Sequence, residues 1–256
     1  MTNIDVTNVT PKLIKFLEDW FNQFSKDSKA VIGISGGKDS TVAAALLVKA
    51  IGKDRVIGVL MPNGIQNDIS DSMRVCEMLG IESITINILD PYKAFQKTLK
   101  ASGVNHTTQQ DTNLAPRIRM TTLYAVAQSF DVPAFVVNTC NRSEDYVGYS
   151  TKYGDAAGDI AVLQDFLVSD IRVIGDYLGL PRELVYKTPS DGLCGKTDED
   201  NLGFTYDDLD RYIIWKESET EPKSKCPINE NTANLIEQKH KANLHKLRLM
   251  PSFMRP

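Results

Sequence analysis

The sequence predicts an α/β protein: a doubly wound parallel sheet flanked by helices, with a helical C-terminal extension. Three observations carry this expectation. Short segments such as residues 30–35 and 134–138 are apolar along their whole length, as strands covered on both faces must be. Helical patterns with apolar residues three and four positions apart separate those strands, as crossovers between parallel strands require. A Gly-Gly turn also leads straight from the first strand into a helix, and in open α/β sheets such strand ends are where ligands bind. The 256 residues are enough for one large domain with its own core, and no linker or repeat divides them. The expected organisation is therefore a single domain over residues 1–256.

Each element has a local reason. Thr10 followed by Pro11 is the expected cap and first position of an opening helix, with Leu13, Leu17, Trp20, Phe21 and Phe24 on one face. Residues 30–35 form the first strand, and the alanine- and leucine-rich stretch 41–50 a helix that closes before Gly52. A second strand is expected over 55–61, a helix over 68–79 stopped by Gly80, and a third strand over 84–89. Helices follow over 92–101 and 114–129, then the fourth strand at 134–138. Residues 170–178 read as a helix ended by Gly179 and Pro181, and 217–225 as a polar loop interrupted by Pro222. Residues 229–249 form a closing helix rich in Lys and His.

Composition narrows the function. Hydrophobic residues make up 42% and charged residues 24%, and 29 basic against 33 acidic side chains leave a net charge of −4. That balance argues against broad electrostatic binding of nucleic acid. No apolar run reaches the roughly 18 residues of a membrane span. The start, MTNIDVTNVTPK, lacks the pattern of a signal peptide, so a cytoplasmic location is expected. Cys76, Cys140, Cys194 and Cys226 are widely spaced and read as free thiols, neither a disulfide framework nor a zinc site.

The strongest chemical signal is Gly33-Ile34-Ser35-Gly36-Gly37-Lys38-Asp39-Ser40. Leaving a strand and entering a helix, it offers glycines for close approach, hydroxyl donors, and helix-start amides that favour an anion. A plain tight turn is the alternative. It is not a Walker A loop, because Ile32 stands where glycine is required and Asp39 follows the lysine. The pattern resembles the pyrophosphate loop of ATP pyrophosphatases, which cleave ATP between its α and β phosphates. The resemblance implies that residues 33–40 hold the departing phosphates and that Asp39 is a Mg²⁺ ligand. Lys38 falls on the family's variable position and receives no role.

Four further segments, in a resemblance running from about Phe16 to Pro251, are similar to the NAD synthetases. The first is residues 113–120, with Arg117 and Arg119. Side chains two apart on a helix diverge, so only one can face a small ligand. The resemblance implies that Arg117 contacts the dinucleotide, against the alternative of a solvated pair. The second is residues 138–144, leaving the fourth strand. It implies that Thr139 touches ATP and that Glu144 is the second metal carboxylate. Asn138 departs from the family's usual glycine, with Asn tolerating unusual backbone angles. The third, residues 148–159 with the pattern GYSTKYGDAAGD, implies that Lys152 and Asp159 bind the deamidated dinucleotide, Asp159 lying near the incoming ammonia. A capping Asp at a helix start is the alternative for Asp159. The fourth, residues 187–190 and 195–203, resembles a lid segment in which Ser190 approaches ATP, while Asp198-Glu199 equally suits an acidic first helical turn. Near the end, His245 and Lys246 are expected at the substrate in preference to His240 and Lys241, a solvated basic helix being the alternative.

One departure stands out. The family places an ATP-contacting lysine about nine residues after the aspartate of the third segment, and here that register falls on Val168. Lys187 and Arg172 are candidate substitutes. The implied activity is ATP-dependent amidation of deamido-NAD to NAD through an adenylated carboxylate, with ATP as co-substrate, Mg²⁺, and a homodimer. The chain has no room for the amidase domain of glutamine-using relatives, so free ammonia is the expected nitrogen source. A tRNA-thiolating pyrophosphatase and a non-catalytic adenine-nucleotide-binding regulator are the rival readings.

Overall fold

Five parallel strands run through the middle of the protein in the order β3-β2-β1-β4-β5. The computed structural model describes residues 4–66, 69–187, 197–218, 225–248 and 250–254. In chain order the elements are α1 (Val6–Asn22), β1 (Lys29–Gly33), α2 (Lys38–Ile51), β2 (Val56–Leu60), α3 (Ile69–Leu79), β3 (Glu82–Thr85), α4 (Leu89–Ala101), α5 (Thr108–Ala127) and β4 (Ala134–Asn138). There follow α6 (Arg142–Val147), β5 (Ile160–Ala161), α7 (Val168–Tyr177), α8 (Arg182–Val185), α9 (Asp198–Leu202), α10 (Tyr206–Glu217) and α11 (Glu230–Leu247).

The sheet's two faces are buried by alternate residues of the same strands. Ala30 and Ile32 point into a core shared with α1, α2 and α7, through Leu17, Phe21, Leu46, Leu47, Ile171 and Ile174. Val31, Ile57, Val59 and Val136 face the other way, onto Met120, Leu123 and Val126 of α5. A third cluster, with Tyr206, Leu209, Tyr212, Ile213 and Ile236, packs α10 and α11 beneath α6. This is the helical C-terminal extension.

Gly58, in the middle of β2, shows how tight the first face is. A Cβ there would stand 2.9 Å from Cys76 Sγ and 3.2 Å from both Ile34 and Ile81. Gly58→Ala is expected to destabilise the protein by about 2 kcal/mol through overpacking, read as a lowered midpoint in urea unfolding.

Several details differ from the sequence expectation, among them the start of α5 at Thr108 instead of 114. The opening helix begins at Val6, not at Thr10, because the Asp5 carboxylate caps it by accepting from the Thr7 amide at 3.1 Å. Thr10 is wholly buried inside that helix, and Pro11 is tolerated within it. The third strand is Glu82–Thr85 and has ended before Leu89, which starts α4 instead. It is a mostly exposed edge strand, so burial does not impose an apolar pattern on it. Lastly, Asn138 sits at the end of β4 without the positive φ that its replacement of glycine suggested.

Strand order reverses between β1 and β4, with β2 and β3 on one side and β5 on the other. In open α/β sheets this switch point opens a crevice beyond the carboxyl ends of the two strands. The loop of residues 33–40 leaves β1 there, and the segment containing Asn141 and Glu144 leaves β4 beside it.

Candidate active site

The loop after β1 is preorganised by its own hydroxyls. Ser40 Oγ accepts from the Ser35 amide at 3.2 Å and lies 3.1 Å from Ser35 Oγ. Thr41 Oγ1 donates to the Gly37 carbonyl at 2.7 Å. Gly37 caps α2 with no side-chain acceptor, which leaves the helix-start amides to an anion. Gly36 has φ +76°, and a Cβ on it would meet Asp71 Cβ and the Ser72 amide nitrogen at 2.9 Å. Both the turn and the close approach of α3 therefore require glycine there.

Asp39 and Glu144 come from different strand ends and meet around one cation. The Lys38 ammonium is 2.9 Å from Asp39 Oδ2 and 3.8 Å from Glu144 Oε1. Asn141 locks the two segments together. Its Oδ1 accepts from the Glu144 amide at 2.9 Å, capping α6, and its Nδ2 donates to Asp39 Oδ1 at 3.1 Å. The Tyr206 hydroxyl donates to Glu144 Oε1 at 3.3 Å. Burial and the neighbouring Asp39 raise the Glu144 carboxyl above the ordinary range, with Lys38 opposing the shift. Among the described residues no group of three or more His, Cys, Asp and Glu surrounds a common point. Two carboxylates beside a loop with free helix-start amides nevertheless suit Mg²⁺, which takes one or two carboxylates and completes its shell with phosphate oxygens and water.

The third segment is bound from two sides. Asn138 Nδ2 donates to the carbonyls of Asp155 and Ala157 at 2.7 and 3.0 Å, while its Oδ1 accepts from the Cys140 amide at 2.8 Å. From the other side, Lys246 Nζ donates to the carbonyls of Gly148 and Ser150 at 2.7 and 2.9 Å. Asn243 Nδ2 donates to the Val147 carbonyl at 3.0 Å. Lys152 Nζ returns the contact by donating to the His245 carbonyl at 2.7 Å. Tyr153, between Lys152 and Gly154, is a non-glycine residue at φ +62° with an exposed ring. An Asn138→Ala change strands the buried Cys140 amide and two carbonyls. It is expected to cost about 2–3 kcal/mol, measured as a drop in melting temperature.

Asp159 does not cap a helix. It precedes β5, and its carboxylate accepts from the Val136 amide at 2.7 Å and from the Tyr124 hydroxyl at 3.1 Å. Burial, helped by Asp159, pushes the Tyr124 phenol up to about 12. Asp159 lines a cavity of about 290 Å³ with Asn138, Cys140, Asp145, Gly158 and Gln164. Burial pushes the Asp145 carboxyl up to about 6.

The remaining candidates divide. Arg117 and Arg119 diverge: Arg117 Nε donates to the Lys152 carbonyl at 3.4 Å, and Arg119 Nε to the Met61 carbonyl at 3.1 Å. Thr139 is half-buried beside Asn138. His245 Nδ1 lies 3.2 Å from the Ala242 carbonyl of its own helix, while His240 stacks on Tyr146 at 4.2 Å. Asp198 and Glu199 form the first turn of α9, with Thr197 as its cap. Val168 is wholly buried in the cluster that contains Tyr206. Lys187 Nζ binds Asp71 Oδ2 at 2.6 Å, and Asp71 packs on Gly36, so this lysine stands beside the phosphate loop. Arg172 lies against the Tyr186 ring instead. Ser190, with the rest of residues 188–196 including Cys194, lies outside the described residues. Cys76, Cys140 and Cys226 are free thiols.

Sequence reasoning missed Asn141, Asn243 and Tyr206. The pattern Asn141-x-x-Glu144 was a readable helix-start signal. Nothing local marks the other two, whose partners lie far away in the chain.

Known proteins resemble the chain along nearly its whole length. The family model described as NAD synthase matches residues 9–250. The NH(3)-dependent NAD(+) synthetase of Methanocaldococcus jannaschii is 37% identical over 254 residues, covering 95% of each chain. The structure of an NMN synthetase from Francisella tularensis superposes with a TM-score of 0.84 at 33% identity, covering 98% of this chain and 99% of that one. An NH3-dependent NAD synthetase from Campylobacter jejuni superposes with a TM-score of 0.81 at 28% identity, covering 98% and 100%. With a family model and relatives that match along nearly its whole length, the chain belongs to the NAD synthase family.

Proposed function

We propose that the protein makes NAD from deamido-NAD, ATP and free ammonia, releasing AMP and pyrophosphate. The observation that carries the reading is the convergence of Asp39 and Glu144, from two strand ends, on one cation locus beside the phosphate loop. A carboxylate is a poor electrophile because its leaving group would be oxide. In the proposed sequence a substrate carboxylate oxygen attacks the α-phosphorus of ATP and pyrophosphate departs. Ammonia nitrogen then attacks the activated carbonyl, AMP departs, and a proton is released. The Ser35–Ser40 loop would hold the pyrophosphate by its amides and hydroxyls. Asp39 and Glu144 would hold Mg²⁺, whose contribution is to neutralise charge on the departing phosphates. Asp159, which lines the polar cavity, would receive the ammonium proton. Arg117 and Lys152 would bind the dinucleotide, with α11 supporting their loop through Lys246 and the His245 carbonyl. Thr139 and Ser190 complete the proposed ATP contacts, and a homodimer completes the proposed assembly.

Relatives with the ammonia-dependent name match over 95% of both chains, which supports ammonia over glutamine as nitrogen donor. The test is an assay of the purified protein with deamido-NAD, ATP, Mg²⁺ and ammonium. NAD, AMP and pyrophosphate are expected in equal amounts, with glutamine a poor substitute. Absence of both NAD and pyrophosphate would reject the proposal. The similarity to an NMN synthetase favours a second reading in which a mononucleotide is amidated by the same chemistry. A parallel arm with nicotinate mononucleotide decides between them by the ratio of kcat/KM values.

A further inference from the structure

Lys38 violates local rules that most buried lysines obey. It is the first residue of α2, where the helix dipole disfavours a positive charge. Its side chain is 2% exposed, and lysine is almost never buried so deeply without a partner. Its partners are Asp39 at 2.9 Å, Glu144 at 3.8 Å and the face of the Tyr206 ring, 5.1 Å from the ammonium.

The position is therefore costly in isolation and makes sense only through the two acids. Those are the same carboxylates assigned to the divalent ion, and a magnesium ion and an ammonium cannot both sit in contact with them without strong repulsion. We infer that Lys38 is a resident cation of the acid pair, a positioning residue that must be displaced on loading and so makes metal binding depend on nucleotide. The inference rests on the assignment of Asp39 and Glu144 to the metal.

In the metal-free protein, the ammonium offsets the repulsion between the carboxylates and keeps them facing each other. A divalent ion arriving alone has to push that charge off both acids with no new anion to receive it. A triphosphate supplies the anion, since Lys38 directly follows Gly37 at the mouth of the loop. Metal and nucleotide then each favour the other's binding by the same factor, as linkage requires.

The probe is Mn²⁺, with the free ion counted by electron paramagnetic resonance. It is titrated into wild type, Lys38→Met, Lys38→Arg and Asp39→Asn, with and without a non-hydrolysable ATP analogue. Wild type is expected to bind Mn²⁺ weakly alone and at least about tenfold more tightly with the analogue. Lys38→Met is expected to bind Mn²⁺ alone about tenfold more tightly than wild type, because one opposing charge is gone. It should bind the analogue alone more weakly, and Lys38→Arg should restore wild-type behaviour. Thermal unfolding gives a second readout. Mn²⁺ alone should raise the melting temperature of Lys38→Met by more than that of wild type, even if the variant starts lower. Unchanged or weaker binding of Mn²⁺ alone by Lys38→Met overturns the inference while leaving the metal assignment standing. Absence of Mn²⁺ binding by wild type with the analogue, or undiminished binding by Asp39→Asn, overturns the metal assignment itself.

Discussion

Replacing Asp39 with Asn is expected to lower kcat/KM for NAD synthesis by about 10³-fold, a loss of about 4 kcal/mol of transition-state stabilisation. The side chain keeps its shape, so the loss is electrostatic. Asp39 contributes one of two carboxylates at the cation locus, and an amide there is neutral. The same change leaves the Lys38 ammonium with Glu144 alone at 3.8 Å. It also sets an amide against the Asn141 Nδ2 group that now donates to Asp39 Oδ1. The core beneath is made by Val42, Leu46 and Leu47 of α2 and does not depend on Asp39. The variant should therefore keep its far-ultraviolet circular dichroism while melting at a lower temperature, because the buried ammonium has lost its nearer partner. Activity within about tenfold of wild type would remove Asp39 from the metal site.

The sheet was legible because its central strands have no choice about composition. Residues of β1, β2 and β4 touch helices on both sides, so burial forces a continuous apolar run that no helix of that length would show. The edge strand β3 lacks that constraint, and its boundary was misplaced accordingly. Helices of four to six residues, such as α6, α8 and α9, are too short to display a period. Helix α10 escaped for a different reason. Its buried face includes Asp210, whose carboxylate accepts from the Ser143 hydroxyl and the Ser169 amide, and an inward-facing acid spoils an apolar stripe. In the site, the loop and Glu144 were singled out by their resemblance to a family pattern, and the fold brings Asp39 and Glu144 to one ammonium. The role of Lys38 was not legible in this way. Adjacent helical residues do not normally face one another, yet its ammonium folds back onto Asp39 next door. The roles of Asn138 and Lys246 were also hidden, because each acts on backbone carbonyls whose identity leaves no trace in sequence.

Gly148→Ala is expected to cost about 3 kcal/mol of stability, and to raise the KM for the dinucleotide more than it changes the KM for ATP. Gly148 ends α6 in the left-handed conformation, φ +63°, which costs an L-residue about 1–2 kcal/mol. A Cβ at that point would stand 2.2 Å from Asn243 Cβ and 2.8 Å from its Cγ, so α11 would have to retreat. Overpacking of this kind adds about 1–3 kcal/mol. For a chain of this size the total corresponds to a fall of about 10 °C in melting temperature. The clash also falls where function is concentrated. When α11 moves away, Lys246 loses the Gly148 and Ser150 carbonyls and Lys152 loses the His245 carbonyl. The loop proposed to bind the dinucleotide then loses its ties to α11 and keeps those to Asn138, Asn113 and Arg117. The phosphate loop, built on β1 and α2, makes none of these contacts, which is why the KM for ATP should change little. Combining the change with Asn243→Gly removes the offending Cβ and should recover part of the lost stability. If Gly148→Ala melts like wild type, α11 is free to shift without cost and is not the clasp of the substrate loop. If instead stability falls while both KM values stay unchanged, the loop keeps its shape without the helix, and the support attributed to Lys246 is structural alone.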